Sequence, residues 1–60
     1  SNIYAAHDKV VIENAPEGEK ISIVNLTGQL VYQGMETEIP LGRGLYIVRV
    51  GKTVKKVMAE

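Results

Sequence analysis

The run Gly42-Arg43-Gly44-Leu45-Tyr46-Ile47-Val48-Arg49-Val50, then Gly51-Lys52, then Thr53-Val54-Lys55-Lys56-Val57-Met58, constrains the fold more than any other part of this chain. Side chains on a strand alternate between two faces, so Tyr46, Val48 and Val50 share one face and Leu45, Ile47 and Arg49 the other. Gly51-Lys52 is a two-residue connection with glycine first, as a type II′ hairpin turn prefers. Two strands around a tight turn follow, and nothing in the run offers a helical stripe.

The rest of the chain repeats the pattern. Ile3 to Ala6 reads as a short first strand, turned by His7-Asp8 into Lys9-Val10-Val11-Ile12-Glu13, where β-branched residues are dense. Asn14-Ala15-Pro16-Glu17-Gly18 is a turn, with Pro16 presetting one central dihedral and Gly18 releasing the chain. Glu19 to Val24 is the next strand, with Ile21 and Ile23 facing one way and Ser22 and Val24 the other. Asn25-Leu26-Thr27-Gly28 fits a hairpin loop in which Asn25 bonds the turn backbone and Gly28 supplies a positive φ. Gln29 to Gln33 returns antiparallel, and Gly34 ends it. Glu36 to Ile39 is a short polar strand stopped by Pro40, which suits a sheet edge because proline cannot donate to a central ladder. The expected fold class is all-β: a small antiparallel immunoglobulin-like β-sandwich of six to seven short strands.

Sixty residues make one small domain. A chain of this size buries only about 60% of the surface its unfolded form exposes, so its stability is marginal. Cys, Phe and Trp are absent, which leaves Val, Ile, Leu and three tyrosines to build the core. No segment approaches the roughly 18 apolar residues of a membrane-spanning helix, so membrane insertion is not expected. Ser1-Asn2 reads as the scar of a removed affinity tag, and residues 3–60 as one C-terminal domain of a longer protein.

The charges sum to zero but are unevenly placed. Residues 1–39 hold Asp8, Glu13, Glu17, Glu19, Glu36 and Glu38 against Lys9 and Lys20, a balance of −4; residues 40–60 hold Arg43, Arg49, Lys52, Lys55 and Lys56 against Glu60, a balance of +4. Cross-strand pairing of the two halves within one sheet is the simpler expectation. A basic C-terminal edge offered to an acidic receptor is the sharper one, and self-association through the opposed halves is a third.

Catalytic chemistry has little to draw on. His7 and Asp8 are the only residues of their types, adjacent in a turn, and no Cys or second His completes a zinc site. Ser22 sits mid-strand without a glycine elbow or a nearby histidine, so no nucleophilic triad is expected. Glu36 and Glu38 read as solvated charges sharing one face of an edge strand rather than as a catalytic carboxylate pair. Arg43 to Val50 lacks the stacking aromatics of an RNA-binding strand, since Leu45 and Ile47 stand in their place, and nucleic acid is not expected as a partner. No cofactor or metal is expected.

Three blocks of the sequence resemble the C-terminal sorting domains of the bacterial (Bacteroidetes) type IX secretion system. The first is Ile21-Ser22-Ile23-Val24-Asn25-Leu26-Thr27-Gly28-Gln29-Leu30-Val31, an apolar strand leading to a turn glycine. The second is Gly44-Leu45-Tyr46-Ile47-Val48-Arg49-Val50, and the third is Lys55-Lys56-Val57-Met58. The match spans roughly residues 9–60 in order and spacing. The resemblance implies a non-enzymatic address: an exported cargo is carried to the periplasm, recognised by the outer-membrane translocon, and delivered to the cell surface. A sortase-like protease then removes the domain. By the same resemblance Gly28, Gly44 and Tyr46 would define the fold, while Lys55, Lys56, Val57 and Met58 would present the strand that the machinery reads.

Each of these residues also has a plainer reading. Gly28 and Gly44 serve backbone geometry in any such fold, Tyr46 is a core or rim tyrosine with its hydroxyl at the surface, and Lys55-Lys56 keep an edge strand soluble. Leu45 and Ile47 put apolar surface on the second face of their strand. They would pack under a loop, or form a contact with the upstream cargo domain or another copy. The alternative function is therefore a structural or adhesive β-sandwich module at the end of a multidomain surface protein.

Overall fold

The computed structural model describes residues 2–60. Seven strands follow in order: β1 (Asn2–Ala6), β2 (Lys9–Glu13), β3 (Ile21–Asn25), β4 (Leu30–Gly34), β5 (Glu38–Pro40), β6 (Gly44–Val50) and β7 (Thr53–Ala59). They form two antiparallel sheets, one in the order β1-β2-β5 and the other β4-β3-β6-β7. The hairpins β1–β2, β3–β4 and β6–β7 each stay within one sheet. The connections after β2, β4 and β5 cross between sheets, giving a Greek-key sandwich of the immunoglobulin-like kind. The fourth strand lies beside the third, whereas a constant-type domain places it beside the fifth. The molecule measures 28 × 22 × 15 Å, the thin dimension being that of two stacked sheets.

Alternation decides what lies between the sheets. Ile3, Val10, Ile12 and Ile39 face inward from the first sheet; Ile21, Ile23, Tyr46, Val48, Val50, Val57 and Ala59 face them from the second. No buried polar or charged side chain interrupts this layer among the described residues. Fully burying one Ile or Val contributes about 1.5–3 kcal/mol, so a core this small leaves little margin for cavities.

Several boundaries differ from the sequence expectation for identifiable reasons. The strand expected from Glu19 starts at Ile21, because Glu19 N–H donates to the Pro16 carbonyl at 3.2 Å and closes a turn first. Pro16 thus begins that turn and does not occupy its centre. Glu36 lies outside β5, its N–H donating to the Tyr32 hydroxyl at 2.9 Å, so Glu36 and Glu38 do not share a strand face. Pro40 closes β5, which is an edge strand as its chemistry requires. Ile12 N–H to the Thr37 carbonyl (2.9 Å) and Leu41 N–H to the Asp8 carbonyl (2.8 Å) continue the pairing at both ends of β5. At the other terminus, Asn2 opens β1 opposite Glu13 and donates to its carboxylate at 3.2 Å. The tag-scar reading of Ser1 lies outside the described residues.

The β3–β4 loop follows from its residues. Asn25 Oδ1 accepts from the N–H groups of Thr27 (3.1 Å) and Gln29 (2.9 Å) and from the Thr27 hydroxyl (2.7 Å). Gly28 N–H donates back to the Asn25 carbonyl at 3.0 Å, with Gly28 at φ 87°. A turn followed by a left-handed glycine is the usual three-residue hairpin solution, and few residues except glycine hold that φ without strain. Beyond the loop, a β-bulge between Ile23 and Val24 leaves Val31 unopposed on β4, which twists this edge strand and blunts it.

Candidate functional site

The three sequence blocks are adjacent in space. The first supplies β3 and the start of β4, the second is β6, and the third lies on β7, so together they account for most of the four-stranded sheet. Tyr46 stands opposite Asn25 on one side and Val57 on the other, and Gly44 stands opposite Ala59. The glycines and the end of β7 therefore gather at one end of the sandwich.

That end is tied down by Tyr46. The residue is 9% exposed, and its hydroxyl donates to the Gly42 carbonyl at 2.8 Å. The hydroxyl is thereby bonded back across the β5–β6 corner, the arrangement called a tyrosine corner in immunoglobulin-like sandwiches. Gly44, at φ 152°, makes the bend that lets the ring fold over the corner; a Cβ built there lies 3.8 Å from the ring.

The residues Lys55 to Met58 divide between faces. Val57 is buried in the core, and Ala59 beyond it is fully buried. Lys56 and Met58 point to the outer face of the sheet. Lys55 shares the inner side with Val57 but stays exposed, because β7 is an edge strand. Leu45 and Ile47 also lie on the outer face, half-buried, opposite Met58 and Lys56.

Register assembles that outer face from residues which sequence alone does not associate. One row runs Leu30, Val24, Ile47, Lys56; the next runs Gln33, Ser22, Arg49, Val54. Ser22, Val24, Ile47, Arg49 and Val54 line an open, mostly apolar depression of about 230 Å³. Val54, Leu30 and Met58 are more than half exposed. No strand position on this face carries an Asp or Glu.

Electrostatics separates the two sheets. Glu13 and Glu38 lie on the three-stranded sheet, while Arg49, Lys55 and Lys56 lie on the four-stranded one. The expected cross-strand pairing of the acidic and basic halves does not form. The only ion pair among the described residues is Lys9–Glu38 at 2.9 Å, both from the acidic half. The reason is topological: the halves meet along β3–β6, and β3 carries no charge. The hydrogen bond from Lys9 lowers the Glu38 carboxyl below its ordinary value and raises Lys9 correspondingly. Beside them the negative charge of Glu13, 3.4 Å from the Tyr4 hydroxyl, raises the Tyr4 phenol.

His7 is exposed in the β1–β2 turn at φ 57°, where its carbonyl accepts from Glu60 N–H at 2.9 Å. Ser22 stands between Gln33 and Arg49. Among the described residues no three His, Cys, Asp or Glu gather where a metal ion could be held. This surface sets exposed cationic side chains beside aliphatic ones.

No protein-family model, no curated protein and no solved structure matches the chain.

Proposed function

We propose that the chain is a non-enzymatic C-terminal sorting domain of the type IX secretion kind, directing an exported cargo through the outer membrane to the cell surface. The observation that carries this reading is the third sequence block. Lys55, Lys56 and Met58 are exposed on edge strand β7 while Val57 anchors it in the core. An exposed strand edge is a surface that another chain can pair with. The partners in this reading are the translocon, a sortase-like protease and the cargo preceding the domain.

The test is a reporter with an export signal at its front and residues 3–60 behind it, expressed in a bacterium with a working type IX system. Removing Lys55–Glu60 would be a poor control, since it takes Val57 and Ala59 out of the core. The double variant Lys55→Glu, Lys56→Glu reverses the exposed charges and leaves the core intact. Surface display of the unaltered fusion with periplasmic retention of the variant is expected. Equal display of both would remove the lysines from the address, and retention of both although folded would end the sorting reading.

The second reading is a structural or adhesive module, favoured by the apolar outer face that holds Leu45 and Ile47. In that case the domain packs on its neighbour, and relaxation measurements on the longer protein would show the two tumbling as one body.

A further inference from the structure

We propose that the outer face of the β4-β3-β6-β7 sheet docks an acidic, extended segment of another protein, with an aliphatic side chain seated between Val24, Ile47 and Val54 and a carboxylate on Arg49. The proposal stands apart from the sorting reading, since it uses a face of the sheet and not the edge of β7.

Three observations carry it. The depression is concave and mostly apolar, and Ser22 and Arg49 are its polar lining residues. A concave apolar site with a few placed polar groups takes a side chain, which a flat adhesive surface would not need. Arg49 and Lys56 have no carboxylate within 4.0 Å among the described residues, and the face holds no acidic strand residue. Its charge is therefore available to an incoming acid, and guanidinium pairs with carboxylate in a two-pronged hydrogen bond. In an extended segment, residues two apart share one face, and a hexamer reaches about 20 Å, comparable with the 22 Å breadth of the molecule.

Charge also argues against a second copy as the occupant. Two such faces stacked on each other would oppose Arg49 and Lys56 with their own kind. The outer face of the other sheet offers little in exchange, because Lys9 neutralises Glu38 and leaves Glu13, hydrogen-bonded by Asn2 and Tyr4, as the one carboxylate on its strands without a cation among the described residues.

The experiment is an amide chemical-shift titration of the ¹⁵N-labelled chain with a blocked hexapeptide alternating glutamate with leucine or valine. A peptide with lysine in place of glutamate is the control. The expected result is saturable shifts at Ser22, Val24, Ile47, Arg49 and Val54, absent with the lysine peptide and weakened by salt. Arg49→Glu, at an exposed position, is expected to weaken binding at least about tenfold, and Lys56→Glu less. Unaltered thermal midpoints would show that both variants remain folded. The proposal is overturned if millimolar acidic peptide leaves these amides unmoved, or if both peptides act alike. Binding of anionic lipid vesicles by this face without the peptide, or concentration-dependent shifts of the free chain there, would overturn it as well.

Discussion

The Tyr46 hydroxyl donates to the carbonyl oxygen of Gly42, four residues upstream, at 2.8 Å. This contact joins a buried ring to the turn that feeds β6, so the Gly-Leu-Tyr block has a structural task whatever the chain is used for. Tyr46→Phe keeps the ring and deletes the bond. The expected loss is about 1 kcal/mol by urea unfolding, since a neutral hydrogen bond contributes roughly 0.5–1.5 kcal/mol net. No change in the midpoint would mean that water replaces the phenol at Gly42 without cost.

Gly44 tests the same corner through the backbone. At φ 152° an L-residue is strained whatever the space around it, even though a Cβ would meet the Tyr46 ring only at ordinary contact distance. Gly44→Ala is expected to destabilise the domain by about 1–3 kcal/mol. Should the alanine variant unfold at the same denaturant concentration as the parent, the bend would not depend on this residue.

Asn25 holds the β3–β4 loop with one oxygen that takes three donors. Asn25→Ala removes all of them, and a loss of about 1–2 kcal/mol is expected. Asn25→Asp keeps the acceptor and loses only the bond from Nδ2 to Gln29, at 3.2 Å, so it should retain most of the stability. Equal destabilisation by both variants would show that the acceptor is not what closes the loop.

The Lys9–Glu38 pair gives stability a pH dependence whose sign is defined. Glu38 is lowered in the fold by the Lys9 hydrogen bond, so its contribution is present above the ordinary carboxylate range and fades as pH falls through the lowered value. Lys9 is raised by the same bond, so its contribution is complete below the ordinary lysine range and is lost as pH rises through the raised value. The two side chains are 43% and 63% exposed, so the effect is small and screened by salt. In Lys9→Met a carboxyl ¹³C titration should find Glu38 returned toward its ordinary value. An unmoved titration would place the cause elsewhere.

Edge strand β7 separates stability from surface chemistry residue by residue. Val57→Ala should cost about 1–3 kcal/mol by opening a cavity at a buried position, whereas Lys56→Gln on the exposed face should change stability by less than about 0.5 kcal/mol. Thermal unfolding of both variants distinguishes them. Comparable losses would mean that the lysine stem packs on the sheet.

Period-2 alternation was legible from residues two apart, as in Tyr46, Val48 and Val50 facing the core while Leu45, Ile47 and Arg49 face out. The turn chemistry of Asn25 with Gly28 was equally local, and both follow from the geometry of a single strand or loop. The hairpin partners were legible too, but which strands pair across the crossovers was not. The inner positions of β6 meet Ile21 and Ile23, and Arg49 meets Ser22, because the crossovers after β2, β4 and β5 set partners more than twenty residues apart. For that reason the charge asymmetry of the chain became a difference between two sheets and did not resolve into ion pairs. The Tyr46 bond to Gly42 spans only four residues, yet it required a corner whose shape depends on two sheets packing together. The sequence by itself determined where the seven strands run, to within about two residues at each end, and which face of each is apolar, since those depend on neighbours along the chain. Only the tertiary structure decided that Val24, Ile47, Arg49 and Val54 share one depression, since that depends on register between strands remote in sequence.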